Sequence, residues 1–192
     1  MSVHLACVAL LLSPAADPRP AEYPRPELLI EASELARPGV ARGFLILDAR
    51  GKGNYLAGHV PGAVWLNQLA WDKAFAEGQD AKDWARRLGA LGIDTGTRVV
   101  LYDNNRSKDA ARMWWVLRYW GVRDVRLLNG GWRAWLAAAG KIDRTENKPR
   151  PVEPKLKPQR SRLATKKQLL DSLETRPQIV DARSEGEYCG TT

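Results

Sequence analysis

The chain has 192 residues, 44% hydrophobic and 27% charged, which fits one folded domain or somewhat more and excludes wholesale disorder. Two cysteines and two histidines exclude a disulfide framework and leave few ligands for a zinc site, so we expect no metal and no cofactor. No apolar run reaches the ~18 residues that a membrane span needs. The formal net charge of +8 makes nucleic acid a partner to consider.

The first residues have the pattern of a secretory signal. Residues 3–12 form an apolar run followed by small residues at 13–16, although no Lys or Arg precedes the run. The alternative is an incorrectly assigned start or a short buried segment. We expect residues 1–16 to be a signal peptide, with export to the periplasm if that signal is real and a cytoplasmic location otherwise. Four prolines within 17–27 predict an extended linker.

From residue 28 to residue 140, short apolar runs alternate with segments of helical spacing. The predicted strands are 28–30, 44–47, 63–66, 99–102 and 125–128, and the predicted helices are 32–36, 80–91, 108–120 and 132–139. This alternation predicts an α/β fold with a mainly parallel sheet and helices on both faces. Ser107 is predicted to cap the helix at 108–120, and Gly121 to end it.

The composition changes after residue 140. Four prolines interrupt a stretch rich in Lys and Arg at 141–160, which predicts a linker between two units. Beyond it, residues 164–173 have helical spacing, and residues 178–180 form an apolar run that predicts a strand.

An internal repeat explains this second stretch. The sequence ILDAR at 46–50 recurs as IVDAR at 179–183, an offset of 133 residues that also pairs Gly53 with Gly186 and Tyr55 with Tyr188. The chain therefore contains one complete unit at 28–140 and the start of a second at 161–192. Two units of this size need roughly 280 residues, so we expect the second to be truncated in this chain.

Several motifs, in this order, resemble the rhodanese family. They are DAR with a following Tyr, GHVPGA at 58–63 and LLNGGW at 127–132. The residues that carry the resemblance are Asp48, Arg50, Tyr55, Gly58, His59, Pro61, Gly62, Gly130, Gly131 and Trp132. Two units joined by a Pro-rich linker are similar to the tandem thiosulfate and 3-mercaptopyruvate sulfurtransferases, and the resemblance implies a rhodanese-like fold for 28–140.

The motif residues also have structural interpretations. His59, in a Gly- and Pro-bounded turn, is expected to be a hydrogen-bonding brace, with a catalytic role as the alternative. Asp48 and Arg50 can form an ion pair or hydrogen-bond the next loop, although ligands also bind at this end of a parallel strand. Gly130 and Gly131 are expected to allow a tight strand-to-helix turn.

The resemblance implies sulfur transfer through a cysteine persulfide, with the cysteine directly after the central strand. Here that position is Asp103, and the active-site-like loop consists of Asp103, Asn104, Asn105, Arg106 and Ser107. A carboxylate cannot carry a persulfide, so the first unit is expected to be catalytically silent, with Arg106 as a partner for Asp103. The catalytic cysteine is expected beyond Thr192. Cys189 comes too early in the second unit and is expected to be an ordinary thiol.

The resemblance further implies a small anionic sulfur donor, thiosulfate or 3-mercaptopyruvate, and a thiophilic acceptor such as cyanide. Arg183 is the candidate contact for the donor, because a guanidinium suits an oxyanion or carboxylate. The choice between the two donors stays open at this point.

Two other functions remain as alternatives. A non-catalytic rhodanese module used for binding or scaffolding is suggested by Asp103. Nucleic-acid binding is suggested only by charge, and residues 141–167 contain ten basic and three acidic residues, so the surplus belongs to the linker region. The eight tryptophans are expected to pack in the core. We therefore expect a monomer with no nucleic-acid partner.

Overall fold

A computed structural model of the chain describes residues 23–191. The signal peptide predicted at 1–16 and the first part of the predicted linker lie outside the described residues. Within 23–191, no helix is long and apolar enough to cross a membrane.

A five-stranded sheet organises the described residues. The strands are β1 (Leu29–Ile30), β2 (Leu45–Asp48), β3 (Val64–Trp65), β4 (Arg98–Tyr102) and β5 (Asp124–Leu128). Their order across the sheet is β1-β5-β4-β2-β3, and every neighbouring pair is parallel. In the central pair, Leu47 of β2 lies opposite Leu101 of β4. The α/β fold predicted from the alternating pattern is confirmed.

Eight α-helices connect or follow these strands in the described part of the chain. They are α1 (Ala32–Leu35), α2 (Lys52–Ala57), α3 (Gln68–Glu77), α4 (Ala81–Ala90), α5 (Lys108–Tyr119), α6 (Gly131–Ala137), α7 (Lys166–Ser172) and α8 (Glu185–Cys189). Sequence patterns missed α2, α3 and α8. α2 and α8 are only one to two turns long, too short for apolar spacing to detect. α3 begins at an Asn67 cap whose side chain accepts from Ala70 N, and a cap of this kind does not change the spacing of apolar residues.

Helices cover the sheet on both faces, so the central strands are buried on both sides. Val99 and Leu101 of β4 pack into one core with residues of α3, α4 and α5. Val100 and Tyr102 alternate into the opposite core, which contains residues of α1 and α6. Aromatic rings fill the first core, where Trp84 stacks on Trp120 at a centroid distance of 5.5 Å.

The segment predicted as a linker lies along the first unit. We call residues 141–160 the strap. Asp143 and His59 exchange two backbone hydrogen bonds of 2.9 Å, Val152 N donates to Gly89 O at 3.0 Å, and Gln159 N donates to Tyr119 O at 2.6 Å. Its prolines keep it extended while these contacts attach it to the core.

The second-unit residues form local helices without a sheet. The strand predicted at 178–180 is wrong, because these residues have no strand partner in the described chain. Ile179 and Val180 are 55% and 78% exposed, whereas their counterparts Ile46 and Leu47 are 2% and 0% exposed. A single strand has no ladder to complete its hydrogen bonds, so an apolar run alone does not produce one.

Candidate functional site

The candidate site lies where β2, β4 and β5 end. Asp48, Asp103 and Asn129 stand at or directly after the last residues of these neighbouring strands. Parallel strands bring their carboxyl ends to one edge of the sheet, which is where α/β proteins bind ligands.

Asp103 is the first residue of the loop that connects β4 to α5, and its side chain points into that loop. Its side chain is buried, with 1% of the residue exposed. One carboxylate oxygen accepts from the backbone N–H groups of Asn105 at 3.0 Å and Ser107 at 2.9 Å, and the other accepts from Ala110 N at 2.8 Å. Two N–H groups of the loop and one of the first turn of α5 therefore point at one anionic side chain, as expected for a backbone anion site at a helix start.

Two sequence predictions about this loop are wrong. Ser107 stands at the N-cap position of α5, but its side chain makes no capping hydrogen bond, because the Asp103 carboxylate already holds Ala110 N. Arg106 is exposed and makes no ion pair with Asp103, because backbone groups satisfy that carboxylate. Arg106 and Ser107 have φ of 51° and 64°, left-handed values that turn the loop N–H groups inward.

The Gly130–Gly131 turn is built against this loop. Trp132 N donates to Asp103 O at 2.8 Å. Gly131 has φ of 58°, and a Cβ added there would lie 2.5 Å from Asp103 O. Only glycine permits both this backbone conformation and this approach, so the Gly-Gly motif positions the active-site-like loop.

A buried polar cluster lies beside the loop. Arg50 Nε and Nη2 contact both Asp48 carboxylate oxygens at 2.6–3.1 Å, and Nη2 also donates to Gly58 O at 2.7 Å. Tyr102 Oη donates to Asp48 Oδ2 at 2.5 Å. The Arg50 guanidinium lies 4.1 Å from the centroid of the Trp132 ring. The sequence suggested either an ion pair between Asp48 and Arg50 or a hydrogen bond to the following loop. The structure contains both, because Arg50 pairs with Asp48 and also donates to Gly58 O.

Burial and charge act on the ionisable groups of this cluster. Burial raises the pKa of Tyr102, and the neighbouring Asp48 carboxylate raises it further. Burial lowers the pKa of Arg50, but hydrogen bonding and attraction to Asp48 outweigh it, so the net shift of that pKa is upward. Tyr102 is therefore held neutral and Arg50 cationic around Asp48.

His59 joins α2 to the strap. Its ring is fully buried and stacks on Tyr55 at 4.0 Å between centroids. Nδ1 lies 2.8 Å from Tyr55 O, and Nε2 lies 3.1 Å from Thr145 O. Asn147 N donates to Tyr55 Oη at 3.0 Å. Both ring nitrogens therefore lie against backbone carbonyl oxygens, a bracing arrangement. The turn continues through Pro61 and Gly62, which has φ of 79°.

Arg183 and Cys189 lie apart from the loop in sequence, within the second-unit residues. Arg183 Nε and Nη2 contact both carboxylate oxygens of Asp181 at 2.7–3.0 Å, the arrangement that Arg50 makes with Asp48. Both side chains are exposed. Hydrogen bonds from the Arg183 side chain and backbone lower the pKa of Asp181 to about 2. Cys189 is exposed and makes no disulfide with any described residue.

Sequence reasoning missed two participants. Tyr102 was assigned only to a buried strand, although its hydroxyl contacts Asp48 and accepts from Val60 N at 3.2 Å. Asn147 was assigned to a linker, although its side chain donates to Ala63 O at 3.1 Å. A hydroxyl at the last position of a buried strand was the available signal for Tyr102, because buried hydroxyls require partners. Nothing local marks Asn147.

The arrangement can hold an anion, and the loop at 103–107 contains no cysteine. A buried carboxylate that accepts three N–H bonds occupies the space where a bound oxyanion or thiolate would be stabilised. Among residues 23–191, no three His, Cys, Asp or Glu side chains are grouped to hold a metal ion.

Comparisons with known proteins agree with this architecture. The family profile described as the rhodanese-like domain matches residues 31–138. A thiosulfate sulfurtransferase from Bos taurus is 37% identical over 175 residues, covering 83% of this chain and 59% of the relative. A 3-mercaptopyruvate sulfurtransferase from Mus musculus is 32% identical over 143 residues, covering 69% of this chain and 47% of the relative. The chain thus spans about half to three fifths of these relatives.

The solved structures include SseA from Escherichia coli, described as a 3-mercaptopyruvate sulfotransferase with the rhodanese fold. It matches with a TM-score of 0.66 and 25% sequence identity, covering 84% of this chain and 67% of that chain.

Proposed function

Because this chain belongs to the rhodanese-like domain family, we propose that it is part of a sulfurtransferase that moves sulfane sulfur from thiosulfate or 3-mercaptopyruvate to a thiophilic acceptor such as cyanide. The complete unit at 28–140 is the silent partner in this reaction. It supplies a folded support for a second unit that carries the nucleophile.

The observation that carries this proposal is the state of Asp103. In persulfide chemistry, a cysteine thiolate attacks the transferable sulfur of the donor and expels sulfite from thiosulfate, or from 3-mercaptopyruvate the enolate of pyruvate, which is then protonated. The acceptor attacks the outer sulfur of the persulfide and releases the thiolate. The backbone N–H groups suited to hold that anion are used here by the Asp103 carboxylate. A carboxylate forms no persulfide, so sulfur transfer by this unit is not expected.

We place the persulfide cysteine in the second unit, at the position equivalent to Asp103. With the repeat offset of 133 residues, that position follows Thr192. Cys189 aligns instead with residue 56, within α2 of the first unit, far from the loop in sequence. Arg183 is the proposed contact for the anionic donor, since its side chain is 54% exposed and a guanidinium suits an oxyanion. In the structure its fork holds Asp181, so the donor would have to displace or share these contacts.

The test is a thiocyanate assay on the 192-residue chain with cyanide and either thiosulfate or 3-mercaptopyruvate. We expect no turnover, while thiosulfate sulfurtransferase from Bos taurus serves as the positive control with thiosulfate. Turnover by this chain would contradict the assignment of the nucleophile, and loss of that turnover in Cys189→Ser would move the assignment to Cys189.

A second candidate function is a non-catalytic binding module, which Asp103 also favours. Reading the coding sequence past codon 192 separates the two. A cysteine in the loop equivalent to 103–107 supports the sulfurtransferase, whereas a stop codon supports the binding module.

A further inference from the structure

A basic cavity of about 320 Å³ lies between the first unit and the strap. Four cationic side chains line it, together with the polar residues Thr95 and Gln159, and its lining contains no carboxylate. The cationic residues are Arg118, Arg123, Lys157 and Arg162.

This cavity is at the opposite edge of the sheet from the Asp103 loop. Thr95 precedes β4, and Arg123 directly precedes β5, so both stand at the amino ends of their strands. Asp103 follows the carboxyl end of β4. The basic cavity is therefore separate from the candidate active site.

The four cationic side chains lack acidic partners in the part of the chain that the structure describes. None of them forms an ion pair with a carboxylate among residues 23–191, although ion pairs are common elsewhere on the domain. Asp124 is the acid that acts on Arg118, but it already pairs with Arg98 and Arg126 at 2.9 Å each. The positive charge in the cavity is thus left without a neutralising side chain.

The neighbouring positive charges affect Arg118. Burial lowers its pKa, and repulsion from Arg162 and from Arg25 lowers it further. Its guanidinium donates to Arg123 O, while its buried Nε has no hydrogen-bond partner within the described residues. A buried donor without a partner is costly. An anion bound in the cavity supplies the negative charge that the neighbouring arginines lack.

We propose that this cavity binds a small divalent tetrahedral oxyanion of the sulfate or phosphate class. Arginine forks and a lysine ammonium give such an anion several charge-assisted hydrogen bonds. The open volume admits a small ion, and the lack of a carboxylate in the lining selects for negative charge.

The bound anion would join two parts of the chain. Arg118 lies near the end of α5 and Arg123 directly before β5. Lys157 lies in the strap, and Arg162 lies in the 3-10 turn that begins at the last residue of the strap. Backbone contacts already hold the strap here, since Lys157 N donates to Trp120 O and Gln159 N donates to Tyr119 O. Anion binding therefore stabilises the strap on the domain, and with it the folded state.

The experiment measures thermal unfolding and calorimetric binding of the 192-residue chain with sodium sulfate and, separately, sodium phosphate. Sodium chloride at equal ionic strength is the reference for screening. The oxyanions are used at low concentration, because at high concentration sulfate and phosphate stabilise folded proteins without a specific site. We expect both oxyanions to raise the Tm above the chloride value. Arg162→Ala and Arg123→Ala are each expected to weaken binding roughly tenfold, the effect of removing one charge-assisted hydrogen bond.

Arg160→Ala is the matched control, because Arg160 belongs to the same 3-10 turn as Arg162 and does not line the cavity. It should leave binding unchanged. Equal Tm values in sulfate, phosphate and chloride would overturn the proposal. Equal loss of binding in Arg160→Ala and Arg162→Ala would also overturn it, since that result indicates a diffuse surface charge. A response to only one of the two oxyanions identifies which one the site accepts.

Discussion

At the scale of single residues, the loop after the central strand is organised around the Asp103 carboxylate. The three N–H groups that converge on Asp103 come from the backbone and do not depend on the identity of that side chain. The anion-binding geometry is therefore present, and the Asp103 carboxylate occupies it. Replacing that carboxylate with a thiol tests whether the loop stabilises an anion.

Asp103→Cys, made in a chain that also carries Cys7→Ser and Cys189→Ser, is expected to give a thiol with a pKa below the usual ~8.5, because the loop N–H groups and the start of α5 favour the thiolate. The pH dependence of alkylation by iodoacetamide measures this. Asn104→Cys in the same background is the control, since Asn104 is exposed in the same loop. Identical alkylation profiles for the two thiols, with both variants folded by circular dichroism, would contradict the prediction.

Tyr102 provides a pH-dependent prediction. Its pKa is raised in the folded state by burial and by Asp48, so its contribution is complete below the unfolded value of 10.0 and is lost as pH rises above it. At pH 11, ionisation of the unfolded tyrosine costs about 1.4 kcal/mol of stability. Tyr102→Phe should remove this alkaline loss, measured by urea unfolding at pH 9 and pH 11.

Tyr23→Phe is the matched control for that measurement, because Tyr23 is 40% exposed. It should retain the wild-type fall in stability between pH 9 and pH 11. If Tyr102→Phe retains the fall as well, the buried phenol is not its source.

At the scale of elements, the approach of α6 to the active-site-like loop depends on Gly131. Gly131→Ala forces a Cβ against Asp103 O at a positive φ, so we expect a loss of about 2–3 kcal/mol in the free energy of unfolding. Urea denaturation at pH 7 measures it.

Gly53→Ala is the comparison, because it lies within α2 and an added Cβ would meet nothing within 4 Å. This change should stabilise by about 0.5–1 kcal/mol, the advantage of alanine inside a helix. Equal losses in the free energy of unfolding for Gly53→Ala and Gly131→Ala would show that contact between an added Cβ and Asp103 O is not the cause of the loss at Gly131.

At the scale of the whole molecule, the described chain consists of a complete unit, a strap held on it, and second-unit residues with little burial. The strap amides of Asp143, Val152 and Gln159 donate to carbonyl oxygens of the first unit. Residues 177–182 are exposed and have no regular secondary structure. Amide hydrogens of the strap should therefore exchange more slowly than those after residue 177. The Pro-rich composition of the strap alone would predict a flexible linker with fast exchange.

Native-state hydrogen exchange checks this difference. We expect the amides of Asp143, Val152 and Gln159 to exchange at least tenfold more slowly than those of 178–182, because opening the strap breaks several contacts together. Equal exchange in both segments would show that the strap is a free linker, as its composition suggests.

The amino-acid sequence by itself determined the α/β alternation, the internal repeat and the position of Asp103 at the end of the central strand. Those features follow from local spacing and from residue identity, which need no folded neighbours. The prediction of a strand at 178–180 was wrong because a strand also requires a partner. The cap assigned to Ser107 was wrong because the Asp103 carboxylate already accepts from Ala110 N. The ion pair expected between Arg106 and Asp103 was wrong because backbone N–H groups satisfy that carboxylate.

Only the tertiary structure decided how distant segments meet. The hydroxyl of Tyr102 on Asp48, the strap on His59 and the cations around Arg118 join residues that are far apart in the chain. Their contacts depend on the pairing of parallel strands and on the path of an extended Pro-rich segment, and periodicity reports neither. For that reason the sequence located the loop at 103–107. The fold determined which backbone N–H groups the Asp103 carboxylate accepts from and placed the unpaired cations around Arg118.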